Sequence, residues 1–162
     1  MEIKSFKKLF VELSENIQLK KSGKSWIFQS STKDECRVRV SLQDSKWSNR
    51  FYVNIEIFIR DAFGFKDFET NEKAHLSGHL FRREPKEYEE VFDLESKISD
   101  SGRELGLRDF FTKFLKPFLQ SVVNISGILE QEKQNELHVL PAVRDQILKI
   151  LRPEKVSGTN GT

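Results

Sequence analysis

With 162 residues, 37% of them apolar, the chain suits one domain rather than two, and fourteen Phe give its core an aromatic bias. A single cysteine excludes an internal disulfide, and at this length folding can bury roughly 70% of the unfolded surface without one. The net charge of +2 is too small to imply a nucleic-acid partner by itself, and no apolar run reaches signal-peptide or membrane-span length, so a cytoplasmic protein without a membrane contact is expected.

The charge is unevenly placed. Residues 1–60 carry 12 Lys and Arg against 7 Asp and Glu, whereas the remaining residues carry 15 against 18, with the acids gathered over 84–100. Solvated surface is the ordinary reason for such asymmetry.

In chain order, Phe6, Leu9, Phe10, Leu13 and Ile17 fall on one stripe at helical period, and Ser5 is a suitable N-cap. Residues 20–24 read as a turn. A short strand is predicted over 26–28, followed by a polar turn over 30–34. From Cys36 the alternation is regular. Cys36, Val38, Val40 and Leu42 point one way, and Arg37, Arg39, Ser41 and Gln43 the other. After a loop over 44–50, Phe51, Val53, Ile55, Ile57 and Ile59 alternate with Tyr52, Asn54, Glu56, Phe58 and Arg60. A loop over 63–73 leads to a fourth strand over 75–81. A fifth, acidic one over 88–94 would suit a sheet edge, where charge discourages pairing with another chain.

Helices dominate the remainder. Ser101 and Glu104 have capping-box spacing. Paired apolar positions from Phe110 to Val123 make a broad stripe, in which Pro117 predicts a kink. A further helix is expected over 124–134 and another from Pro141, and a disordered tail over 153–162. The consecutive strands predict an α+β domain over residues 1–152, an antiparallel sheet of four to five strands packed against an N-terminal helix and C-terminal helices.

The candidate chemistry is sparse. His75 and His79, four apart in a strand, would lie roughly 13 Å from each other, too far for one ion to bind both at about 2 Å. Cys36 shares the apolar side of its strand and reads as a small buried hydrophobe rather than a nucleophile. There is no Gly-rich phosphate loop in a strand–turn–helix setting. No catalytic residue, metal site or cofactor is predicted.

The polar sheet face is the more informative feature. Arg37, Arg39, Gln43, Tyr52, Asn54, Phe58, His75, His79 and Phe81 should share it, a composition typical of binding surfaces. Exposed rings beside Arg also match single-stranded nucleic-acid platforms. Alternatively, a second helix layer covers part of this face, making Phe58 and Phe81 core. Trp47, in the loop between the two strongest strands, either folds back to close the core, which its size favours, or stands out as an anchor.

Several of these residues carry a resemblance. The Leu42-Gln43 step, the aromatic turn around Trp47 and the Phe51-Tyr52-Val53-Asn54 entry into a strand resemble the DUF4304 family. So do the later stretch from His75 to Leu80, with His79 where the family often has Arg, and the Lys20-Lys21-Ser22-Gly23 turn leading to Trp26. The resemblance spans about residues 5–125. The family is functionally uncharacterised, and the likeness implies an α+β fold more than an activity. Some small bacterial proteins of this kind look like immunity proteins paired with toxins.

The expected function is therefore a non-enzymatic, protein-binding module, immunity-like in blocking a toxin. Its contact set would be Arg37, Arg39, Gln43, Trp47, Tyr52, Asn54, His75 and His79. The alternative is single-stranded nucleic-acid binding on the same face.

Overall fold

The computed structural model describes residues 1–68 and 77–152. Its first element, α1 (Ile3–Asn16), turns Phe6, Phe10 and Leu13 inward, the stripe that the spacing predicts. The helix starts before Ser5, so the expected cap is an internal helical residue. Glu2 holds the cap position without a side-chain bond.

Five strands follow: β1 (Lys20–Ser22), β2 (Ser25–Phe28), β3 (Cys36–Asp44), β4 (Phe51–Ile59) and β5 (Leu80–Arg83). They lie side by side in chain order, every pair antiparallel. Residues 20–22, read as part of a turn, are instead the edge strand β1, and the turn proper is Gly23-Lys24, with Gly23 at φ +60°. That left-handed backbone costs glycine little and lets the hairpin reverse in two residues.

The fourth predicted strand is displaced. Pairing with β4 is regular only from Leu80, opposite Ile57, to Arg83, opposite Asn54, two residues beyond the predicted end. His75 lies outside the described residues. Residues 88–94, expected as an edge strand, are helical: a 3₁₀ turn (Lys86–Tyr88) runs into α2 (Glu89–Phe92). Val91 and Phe92 are adjacent and both buried, which a strand with one solvated face cannot achieve and one helical turn can.

The chain is then helical from α3 (Asp100–Asp109) through a π-helical turn (Phe110–Leu115) into α4 (Lys116–Ser121). The cap is Ser99, whose Oγ accepts from the Gly102 N–H at 3.1 Å, two residues ahead of the predicted capping box. The disturbance expected at Pro117 takes the form of the π turn before it, where a wider spiral accommodates a ring that would press on the preceding turn. Asn124 caps α5 (Ile125–Lys133), and α6 (Pro141–Leu151) opens on its proline as expected.

The helices cover one face of the sheet. Phe6 stacks on Phe51 and meets Phe92 edge-on, while Phe10 touches Trp26 and Phe111. Val38, Val40, Val53, Ile55 and Ile57 have no exposed surface beneath this layer. Arg103, read as a solvent-facing first-turn residue, is 1% exposed. Its guanidinium donates to the carbonyls of Glu90, Val91 and Asp93 and to Ser96 Oγ, closing the C-terminal end of α2.

Candidate functional site

The alternation in β3 and β4 sends Arg37, Arg39, Ser41 and Gln43, with Tyr52, Asn54, Glu56 and Phe58, to the face away from the helices. The register sets Arg37 opposite Phe58, Arg39 opposite Glu56, Ser41 opposite Asn54 and Gln43 opposite Tyr52. This face is divided into two halves.

One half is covered, by a loop rather than by the helix layer considered as the alternative. After β4 the chain passes Asp61 and Phe63, both with left-handed backbone, and lays Phe65 and Phe68 on Phe58, at 5.3 and 4.7 Å between ring centres. Phe58 is thereby 1% exposed and Arg37 2% exposed. Arg37 donates to the Asp34 and Cys36 carbonyls and pairs with Asp67 at 3.4 Å. Arg39 stacks over Phe58 and pairs with Glu56 at 2.8 Å. Both arginines are internally committed, so neither is available as the contact residue expected of it.

His79 belongs to the same half. Its Nδ1 accepts the Ile59 N–H at 2.9 Å, and Phe58, Phe63 and Phe65 surround its ring within 5.9 Å. An acceptor at Nδ1 requires the neutral imidazole, and burial lowers its pKa below the usual histidine value. His79 is thus an internal acceptor rather than a surface contact.

The other half is open. Gln43 is exposed, and Tyr52 and Asn54 are half-buried. The Asn54 Nδ2 group donates to Gln43 Oε1 at 2.8 Å. Two arginines that the contact set omitted, Arg50 and Arg83, lie over the Tyr52 ring at 5.1 and 4.7 Å. Extending the alternation from Phe81 by two residues would have placed Arg83 here. Phe81, on the same strand, is 52% exposed, so it is surface rather than core.

Trp47 borders this open half at the tip of the β3–β4 hairpin and is 94% exposed. Its loop is fastened on either side of the ring. The Ser45 N–H donates to the Arg50 carbonyl at 2.8 Å, the Trp47 N–H to Ser45 Oγ, and the Leu94 N–H to the Asn49 carbonyl. The core needs no cover from this ring, because Phe6, Phe51 and Phe92 already fill the adjoining space. Of the eight expected contact residues, the open half therefore gathers Gln43, Trp47, Tyr52 and Asn54.

Elsewhere the candidates for chemistry are occupied. Cys36 is fully buried, and burial, reinforced by Glu35, pushes its thiol up to about 12, far from a reactive thiolate. A cleft of about 520 Å³ opens between β5 and the π turn, lined by Arg82, Tyr88, Lys113, Phe114 and Phe118 among others. Its cations have partners: Arg82 pairs with Glu136 and lies across Phe114 and Phe118, and Lys113 pairs with Asp109. Among the described residues no three His, Cys, Asp or Glu side chains converge as a metal site would require. Nor is any described helix long and apolar enough to cross a membrane.

No known protein family, no curated protein and no solved structure matches this chain, so the likeness to the DUF4304 family rests on its short motifs alone.

Proposed function

We propose that the chain is a non-enzymatic, cytosolic protein-binding module that works by occlusion, as an immunity protein blocks a toxin. It would engage its partner through the Trp47 hairpin and the open half of the sheet. The observation that carries this reading is Trp47 itself, 94% exposed on a loop held by main-chain hydrogen bonds. Large rings of this kind are enriched among the residues that dominate binding energy, and a fastened loop loses little conformational freedom on docking. Tyr52, Asn54 and Gln43 continue the surface with a ring and amides. The buried free thiol of Cys36 suits a reducing compartment.

The state of the rings supports a protein over single-stranded nucleic acid. Base stacking needs open ring faces. Phe58 is under the loop, and Tyr52 carries two guanidinium groups over its ring.

A photo-crosslinking residue at position 47, in the cells that make the protein, tests the reading. The expected result is one discrete protein adduct at position 47 and none from the same group at Leu105, an exposed residue of α3. No adduct at position 47, or the same adducts from both positions, overturns it.

A further inference from the structure

Once internal pairs are removed, the charge left at the open end of the sheet has one sign. The carboxylates bordering it are occupied. Asp44 pairs with Lys7, Glu56 with Arg39 and Glu89 with Arg50, while Glu84 and Glu95 accept the main-chain N–H groups of Val53 and Asn49. Lys20, Lys24, Lys46 and Arg83 are exposed and have no carboxylate partner among the described residues.

Their placement follows from the register. Lys20 lies opposite Ile27 and Ile27 opposite Arg39, which puts Lys20 on the open face. Ser25 lies opposite Ser41, so the β1–β2 turn carrying Lys24 reaches the same end of the sheet as the hairpin tip carrying Lys46 and Trp47. Arg83 lies opposite Asn54 on the far edge strand. From β1 to β5 this row crosses four strand spacings, roughly 19 Å, too wide for one small anion and suited to an extended surface.

We infer that the partner presents a carboxylate-rich protein surface, an Asp/Glu strip that meets Lys20, Lys24, Lys46 and Arg83 while an apolar recess receives Trp47. The inference rests on the binding-module reading and specifies its chemistry. Complementary rim charge of this kind speeds encounter and selects the partner, and salt screens it.

The probe is a ten-residue peptide of alternating Glu and Ala, titrated at low salt and read by backbone amide shifts. A (dT)₁₀ oligonucleotide and a Gln/Ala peptide serve as comparisons. The Glu peptide should shift Lys20, Lys24, Lys46 and Arg83 and lose its effect in high salt. The K20E/K24E/R83E variant should bind it at least about tenfold more weakly, each exposed charge contributing modestly. It should melt as the parent does, since these cations have no internal carboxylate partners, and K20Q/K24Q/R83Q should show a smaller loss in the same direction. Absence of shifts at these residues, unchanged binding by both variants, or tighter binding of (dT)₁₀ than of the Glu peptide overturns the inference. If that happens while the position-47 adduct still forms, the binding module stands and only the acidic chemistry falls; loss of the adduct removes the module itself.

Discussion

The covered and open halves of the sheet face are built from the same two strands and from similar residues, yet they do opposite work. Toward the Cys36–Ile59 end, Arg37, Arg39 and Phe58 are enclosed by Phe65 and Phe68 and act as a second, small core. Toward the Asp44–Phe51 end, Gln43, Tyr52 and Asn54 remain accessible beside an exposed Trp47. An arginine opposite an aromatic is therefore not a signature of a binding surface. Its role depends on whether another part of the chain lies over it.

This contrast can be broken by substitution. The largest effect is expected for Phe58→Ala, which empties the centre of the aromatic cover and should cost about 3–5 kcal/mol in chemical denaturation. Arg39→Met should cost about 3 kcal/mol in the same measurement, because it leaves Glu56 without its cation in a mostly enclosed site. If either change is tolerated within 0.5 kcal/mol on the ordinary surface scale, the covered half is not a core.

Acidity sharpens the comparison. The folded state holds His79 neutral, so its pKa lies below the unfolded value, and the unfolded chain takes up the proton first. The contribution of His79 is complete above the ordinary imidazole range and is lost as pH falls from that range toward the depressed folded value. Stability measured across this window should decline with falling pH, and His79→Gln should flatten the decline. An unchanged profile in that variant would remove His79 from the account. The smallest effect is expected on the open half. Trp47→Ala should change stability by less than about 0.5 kcal/mol while abolishing partner binding. A large loss of stability there would make Trp47 structural.

Much of the fold is legible in the sequence because it depends on local periodicity. The alternation over 36–43 and 51–60, the stripe from Phe6 to Ile17 and the prolines at 117 and 141 each report a constraint that acts within a few residues. The errors have non-local causes. Residues 88–94 alternate weakly enough to pass for a strand, and their helix depends on Arg103 gathering the carbonyls of Glu90, Val91 and Asp93. The face of Arg37 and Arg39 is legible, but its cover is not, because Phe65 and Phe68 return over it from beyond β4. Trp47 misleads in the other direction: the size of its ring favours burial, but Phe6, Phe51 and Phe92 leave it no place in the core.

The strict chain order of the strands has a kinetic consequence. β1 to β4 can zip together across residues 23–24, 29–35 and 45–50, whereas β5 arrives only after the excursion over 60–79. Closing the shorter loops loses less chain entropy, so the first four strands should pair early and the fifth should be the last to join and the first to fray. Arg83 rides on that fifth strand. Anything that clasps it would hold down the loosest margin of the sheet, and amide protons of Leu80–Arg83 should then exchange more slowly than in the free protein.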